Sequence, residues 1–243
     1  MKNKKIRVGV DIDEVLRAKW LQFDRFYAQE FGEENIPEEP YSFDFFNDYA
    51  WDAVNEKVKE LIDDDEILNS ITPLDYQPDE NGNVAADLVL FDTKEEKLSA
   101  LDVFNRFMYI DFCFEIFGTA PQMYKGLDYH FNEFHRKYND HIELVIISNE
   151  NKQSIPPTLF FLSKMQCRAD EYKLNCIGEE KLNNVDILIT SDPELLINKA
   201  PKGKKVIKIE RPYNVGCDNC EISTIQLYEL VGNKEFEKLI KFK

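Results

Sequence analysis

Short runs of apolar residues predict the strands of this chain. Four such runs, all rich in β-branched residues, lie at residues 6–10, 144–147, 185–189 and 206–209. Strands that are predominantly apolar, rather than alternating with polar residues, are typical of a parallel sheet that is covered on both faces. The first run ends directly in Asp11, so its carboxyl end is predicted to open on a polar site.

Helical patterns lie between these runs. Leu127, Phe131 and Phe134 recur at helical spacing before the second predicted strand, and Pro156-Pro157 begin a helix-forming segment after it. Strands that alternate with helices are joined by right-handed crossovers. We therefore predict an α/β fold with a doubly wound, Rossmann-like parallel sheet, and a closing helix within residues 227–242.

The long segment between the first two predicted strands indicates an insert. Residues 11–143 are many more than one crossover needs. Apolar residues recur at three-to-four-residue spacing in three stretches of this segment, residues 20–31, 50–62 and 95–117. We predict a core domain formed by residues 1–16 and 125–243, and a mainly helical cap or insert formed by residues 17–124.

The negative charge of the chain limits its expected partners. The formal charge is −16, whereas partners that carry phosphates recruit Lys and Arg, so neither a nucleic-acid nor a membrane partner is expected. No apolar stretch approaches the roughly 18 residues of a membrane span. The apolar run after the basic N-terminus is too short for a signal peptide. These features predict a cytoplasmic protein with reduced cysteines.

Several clusters of polar residues are weak candidates for a metal site. They are the pair Cys217 and Cys220, the acidic run at residues 63–66, and the histidines His130, His135 and His141. The cysteine pair has no second pair to complete four zinc ligands. Acidic runs are usually solvated, and the histidines have no ligand spacing. We expect no metal at any of the three.

The acids that follow the first predicted strand carry the candidate chemistry. Val10-Asp11-Ile12-Asp13-Glu14-Val15 places two carboxylates where an α/β sheet binds its ligands. The pattern resembles motif I, DxDx[TV], of the haloacid dehalogenase-like phosphohydrolases, nearest their 5'(3')-deoxyribonucleotidase-like branch. The resemblance implies that Asp11 attacks phosphorus and that Asp13 acts as acid and then as base. It also implies Mg²⁺ bound by Asp11, the Asp13 carbonyl and the phosphate.

Later residues resemble the other motifs of this family. Ser148, after the second predicted strand, resembles motif II, whose hydroxyl donates to a phosphate oxygen. The family also uses a lysine to neutralise charge between nucleophile and phosphate. Lys181 has the placement seen in deoxyribonucleotidase-like members and is preferred, and Lys164 is the other candidate.

Motif IV departs from the family pattern. The acids expected after the third predicted strand are replaced by Thr190 and Ser191, and Asp192 comes one position late. Because Mg²⁺ commonly uses one or two protein carboxylates, Asp192 is the remaining candidate ligand. Glu14 stands where nucleotidase-like members usually have Gly, and residues 211–214 resemble their [R/H]PYN turn.

Two functions are consistent with these patterns. The first is a Mg²⁺-dependent phosphomonoester hydrolase of the nucleotidase-like branch, which acts on a small phosphorylated substrate under the cap. The second is a catalytically inactive protein that serves as a structural or scaffolding subunit. The altered motif IV favours the second, as does the aromatic-rich insert, which can support homo- or hetero-oligomer contacts.

Overall fold

The fold is built on a parallel sheet with Asp11 at the end of a central strand. The computed structural model describes residues 4–33, 36, 49 and 104–241. Within these residues the strands are β1 (Ile6–Asp11), β2 (Ile142–Ile147), β3 (Glu171–Lys173), β4 (Ile187–Thr190), β5 (Lys205–Ile209) and β6 (Ile222–Thr224). Their order is β3-β2-β1-β4-β5-β6, and every neighbouring pair is parallel.

This strand order determines where a ligand can bind. The chain runs outward from β1 through β2 to β3, and then returns to the other side of β1 to form β4, β5 and β6. The direction of winding therefore reverses between β1 and β4. Open α/β sheets bind ligands in the crevice beyond the carboxyl ends of the strands at such a reversal.

Helices cover the sheet on both faces. They are α1 (Lys19–Phe31), α2 (Leu127–Tyr138), α3 (Ile155–Lys164), α4 (Glu180–Asn183), α5 (Pro193–Ile197) and α6 (Lys234–Leu239). The apolar side of α2, which includes Phe131 and Phe134, packs with Val8 and Val10 of β1 in one buried cluster. On the other face, Val145 packs with residues of α4 and α5. The predicted doubly wound α/β sheet is thus confirmed.

Gly9 shows how closely β1 approaches its neighbours. A Cβ atom at Gly9 would lie 2.9 Å from a methyl carbon of Val185 and 3.2 Å from one of Leu188. The first distance is shorter than real Cβ contacts and the second is tight, so a side chain here would force Val185 to shift. The glycine lets β4 pack tightly against β1 just before Asp11.

Some of the predicted element bounds were wrong. The sequence predicted four strands and missed β3 and β6, each of which has only three residues. The predicted closing helix is interrupted: a 3₁₀ turn, Leu227–Leu230, is followed by Gly232 at φ 83°, and α6 begins only after Asn233. Asn233 caps α6 by accepting from the backbone N–H of Glu235 at 2.9 Å.

The described parts of the predicted insert are mainly helical. The helix predicted at residues 20–31 is observed as α1, and two π-helical turns, Phe107–Asp111 and Phe114–Gly118, lie within the stretch predicted at 95–117. The second turn packs on α3, and a Cβ at Gly118 would lie 3.2 Å from Pro157. The helix predicted at 50–62, the acidic run at 63–66 and residues 95–103 lie outside the described residues, and the division into two domains stays a prediction.

In the described part of the chain, each helix is too short or too polar to cross a membrane.

Candidate active site

Polar side chains meet at the carboxyl ends of β1 and β4. Asp11 is the last residue of β1, Thr190 is the last residue of β4, and Asp192 caps the N-terminus of α5. On the other side of β1, the register pairs Asp11 with Ile147, so Ser148 follows at the same edge. The winding reversal thus brings together residues that are far apart in the sequence.

Asp11 is held by groups from β4 and α4. Its Oδ2 accepts from Lys181 Nζ at 2.7 Å and from Thr190 Oγ1 at 2.9 Å, and its Oδ1 accepts from the backbone N–H of Ile12 at 3.0 Å. Lys181 Nζ also lies 3.8 Å from Asp192 Oδ2. One buried ammonium therefore lies between two carboxylates.

Burial and charge oppose each other at this pair. Burial raises the pKa of Asp11, while the Lys181 ammonium acts to lower it. Burial works against the charge of Lys181, but Asp11 and Asp192 outweigh it and hold the pKa of Lys181 above its usual value. Lys181 thus lies against Asp11, whereas Lys164 is exposed at the end of α3.

Asp13 is held by two cations. Its Oδ1 accepts from Arg17 Nε at 2.9 Å, and its Oδ2 accepts from Lys19 Nζ at 2.6 Å. Burial alone would raise the pKa of Asp13, but Arg17 and Lys19 outweigh it and hold that pKa well below its usual range. Both oxygens of the predicted acid are thus engaged.

Arg17 connects Asp13 to three other parts of the chain. Its guanidinium is fully buried and donates to Glu150 Oε1 at 2.6 Å, Thr158 Oγ1 at 2.7 Å and the Phe117 carbonyl at 2.8 Å. These partners lie after β2, in α3 and in the turn Phe114–Gly118. The pKa of Arg17 stays above its usual value, because Asp13 and Glu150 outweigh the effect of burial.

The hydroxyl of Ser148 donates to a carboxylate. Its Oγ lies 3.2 Å from Glu150 Oε1 and donates to it. The other oxygen of Glu150, Oε2, is buried and has no hydrogen-bond partner among the described residues. The hydroxyl predicted to bind phosphate is therefore paired with a carboxylate that also binds Arg17.

The residues that replace the acids of motif IV donate to the groups of motif I. Thr190 donates to Asp11, as described above, and Ser191 Oγ donates to the Asp13 carbonyl at 3.2 Å. The turn Pro212–Asn214 fixes Ser191, because Tyr213 donates to its Oγ and Asn214 to its carbonyl, both at 2.9 Å. The predicted [R/H]PYN turn thus supports the loop after β4.

Glu14 adopts a backbone conformation that is uncommon for a residue with a side chain. Its φ is 57°, in the left-handed region that favours glycine. The side chain folds under the start of α1, where Oε1 accepts from the Trp20 N–H at 3.0 Å, and the carbonyl accepts from Arg211 Nε at 2.8 Å. Burial raises the pKa of Glu14 to about 7.

The oxygen ligands at this site do not fit the predicted Mg²⁺ ion. The Lys181 ammonium, 2.7 Å from Asp11 Oδ2 and 3.8 Å from Asp192 Oδ2, lies between the two carboxylates that a divalent cation would need. Asp192 Oδ1 accepts from the Glu194 N–H at 3.0 Å. Among residues 4–33, 36, 49 and 104–241, no group of three or more His, Cys, Asp or Glu side chains is arranged to hold a metal. Mg²⁺ binding by Asp11, Asp13 and Asp192 stays a prediction, and Asp13 and Asp192 are engaged elsewhere.

Sequence reasoning missed Arg17, Lys19 and Glu150. Arg17 interrupts the apolar pattern after motif I, and Glu150 follows Ser148 by two residues. The sequence around Arg17 and Glu150 contains no spacing pattern by which a buried ion pair could be distinguished from two exposed charges. The available signal was a charge within an otherwise apolar stretch, since Lys and Arg are rarely buried unless paired.

Comparison with known proteins adds little to this geometry. No family model matches the chain. The curated proteins likewise contain no match. A solved structure described as a dehalogenase is similar over 96% of this chain and 98% of its own, with a TM-score of 0.46 and 11% sequence identity. The resemblance to the haloacid dehalogenase-like phosphohydrolases therefore stays a prediction from the motifs.

Proposed function

We propose that this protein hydrolyses a small phosphomonoester through attack of Asp11 on phosphorus. The supporting observation is the contact between the Asp11 carboxylate and the Lys181 ammonium, 2.7 Å apart at the winding reversal of the sheet. A carboxylate nucleophile divides a difficult hydrolysis into two easier steps. A buried ammonium beside it can neutralise the charge of the phosphoryl group.

The proposed hydrolysis has two steps. An Asp11 oxygen bonds to phosphorus while the bond from phosphorus to the leaving oxygen breaks, and Asp13, which takes up a proton from solvent once Lys19 has released it, gives that proton to the leaving oxygen. Water then attacks the aspartyl-phosphate, Asp13 takes a proton from it, and phosphate leaves with Asp11 regenerated. No step passes through a metal ion. The proposal requires Lys19 to release Asp13 when the substrate binds, because both oxygens of Asp13 are otherwise occupied.

The electrostatics support a second candidate, a non-catalytic protein that serves as a structural or scaffolding subunit. A nucleophile should be ionised and an acid should hold a proton near neutral pH. Here burial raises the pKa of Asp11, whereas cations hold that of Asp13 low. The Ser148 hydroxyl is also directed to Glu150. These contacts are those expected if the fold persisted after its chemistry was lost.

Phosphate release distinguishes the two candidates. The wild-type protein is assayed on nucleoside monophosphates and simple phosphomonoesters, with added Mg²⁺ and with EDTA. Hydrolysis is expected to fall to the blank in Asp11→Asn and to persist in Asp140→Asn, a change at an exposed position after α2. Circular dichroism checks that both variants fold.

Three outcomes are informative. Turnover that survives in Asp11→Asn contradicts the nucleophile. Turnover that needs Mg²⁺ supports the predicted magnesium site and contradicts hydrolysis without a metal ion. Absence of turnover on all substrates, with no binding of inorganic phosphate, favours the scaffold.

A further inference from the structure

We infer that Arg17 is the positioning residue for Asp13, holding the acid in a geometry set jointly by α3 and the turn Phe114–Gly118. The catalytic part of this inference rests on the proposed function. The structural part, that the position of Asp13 depends on Arg17, does not.

The guanidinium of Arg17 uses its donors on separate elements. Nε binds Asp13 at 2.9 Å, Nη1 binds both the Phe117 carbonyl and Thr158 Oγ1, and Nη2 binds Asp13 and Glu150. A guanidinium is planar and rigid, so its contacts with Phe117, Thr158 and Glu150 fix the direction of the N–H groups that point at Asp13. The orientation of the Asp13 carboxylate therefore follows from where α3 and the turn lie.

The surroundings of Arg17 leave it little freedom. Its side chain is 0% exposed, and its guanidinium carbon lies 4.9 Å from the ring centroid of Phe117 and 5.7 Å from that of Phe161. Lys19, the other cation on Asp13, is 13% exposed and holds it through a single ammonium. Of the two contacts on Asp13, the one to Arg17 is the rigid one, and the one to Lys19 is the contact that can open for a substrate.

Glu150 shares the guanidinium with Asp13. The Glu150 side chain is 0% exposed, and its Oε2 lacks a hydrogen-bond partner among the described residues. Separating a buried carboxylate from its cation is costly, because it leaves an uncompensated charge. Glu150 thus anchors Arg17 through the same nitrogen, Nη2, that also contacts Asp13, which keeps the guanidinium in place if Asp13 changes its protonation.

Leaving-group dependence separates this role from a merely structural one. The leaving oxygen of an alkyl phosphate must be protonated as it departs. An aryl phosphate with an acidic phenol depends far less on this proton. Arg17→Lys keeps the charge but cannot span all four partners. We expect kcat/KM to fall about tenfold or more on an alkyl phosphate such as a nucleoside monophosphate, and less than about threefold on p-nitrophenyl phosphate.

Matched variants complete the test. Arg136→Lys, at an exposed position of α2, is expected to change neither rate. Glu150→Gln removes the anchoring charge at nearly constant shape and is expected to reproduce the selective loss on the alkyl phosphate. Equal losses on both substrates in Arg17→Lys would overturn the inference, because a general structural defect affects both reactions alike.

A measurement without turnover keeps the inference testable if the proposed function fails. In a double-mutant cycle, Arg17→Lys and Asp13→Asn are expected to be strongly non-additive in the midpoint of urea unfolding. Additive effects of the two changes would show that Arg17 does not hold Asp13. Absence of turnover with a non-additive cycle would reject the enzyme but retain the positioning.

Discussion

Asp11 and Asp13 lie two residues apart, yet different parts of the molecule hold them. The Asp11 side consists of one ammonium, Lys181, between two carboxylates, and its partners come from β4, α4 and the start of α5. The Asp13 side pairs two cations, Arg17 and Lys19, with two carboxylates, Asp13 and Glu150. Charges balance on the Asp13 side, while the Asp11 side has one unbalanced carboxylate.

Because their partners come from different elements, the Asp11 side and the Asp13 side should differ in how strongly they depend on the insert. The Asp11 side is built from the sheet and its short helices, so it forms wherever the core forms. The Asp13 side also requires the Phe117 carbonyl, which belongs to a turn within residues 17–124. A change at the insert should therefore disturb Asp13 before it disturbs Asp11.

The largest effect is expected from removal of the buried guanidinium. Arg17→Leu leaves Asp13 and Glu150 without their shared cation in a buried site, which should lower the free energy of unfolding by about 3–5 kcal/mol. Urea unfolding at pH 7 measures it. Arg136→Leu, at an exposed position, should change stability by less than about 0.5 kcal/mol.

A matched double variant tests the cause of that loss. Replacing Glu150 with Leu in the Arg17→Leu background removes one stranded carboxylate and should restore part of the stability. If it lowers stability further, the loss arises from packing around Phe117 and Phe161 instead of from unpaired charge.

The next effect concerns the Asp11 side and needs an active protein. Lys181→Met removes the ammonium beside Asp11 and should lower kcat/KM for phosphate release by about 10²-fold. Lys164→Met, at the exposed end of α3, should leave the rate unchanged. Equal rates in the two variants would remove Lys181 from the proposed mechanism.

Much of the fold could be predicted from the sequence, because the central strands are short apolar runs, as expected of parallel strands that are covered on both faces. β3 and β6 could not, since three residues contain too little pattern. In the site, Asp11 and Lys181 follow core elements whose order a family resemblance supplies. The contacts of Arg17 depend on the path of the insert, for which the sequence offered no resemblance.

A smaller effect is expected at Glu14, below the start of α1. The pKa of Glu14 is about 7 in the folded protein, above the value of about 4.5 in an unfolded chain. Between pH 4.5 and pH 7 the native state therefore binds more protons than the unfolded state. The stability of the wild-type protein should fall as the pH rises from about 4.5 to about 7. Glu14→Gln should then be about 2–3 kcal/mol more stable than wild type at pH 8, with almost no difference at pH 4.5.

Urea unfolding across this pH range measures the Glu14 effect. Glu221→Gln, at an exposed position next to β6, should show no such dependence. A difference between Glu14→Gln and wild type that is the same at pH 4.5 and pH 8 would mean that the Glu14 carboxyl does not titrate in this range.

The smallest expected effect is on divalent cation binding. Lys181 and Thr190 already donate to Asp11 Oδ2, and the Lys181 ammonium lies between Asp11 and Asp192, so a cation would have to displace it. Titration with Mn²⁺, followed through the electron paramagnetic resonance of the free ion, should show the same uptake by wild type, Asp11→Asn and the surface variant Asp140→Asn. Any uptake should be weak and shared, as expected of solvated carboxylates on a chain with a charge of −16. One further equivalent bound by wild type and Asp140→Asn, but lost in Asp11→Asn, would contradict this expectation. It would mean that a cation displaces the Lys181 ammonium from Asp11. The Asp11 side and the Asp13 side would then differ in metal binding as well as in their dependence on the insert.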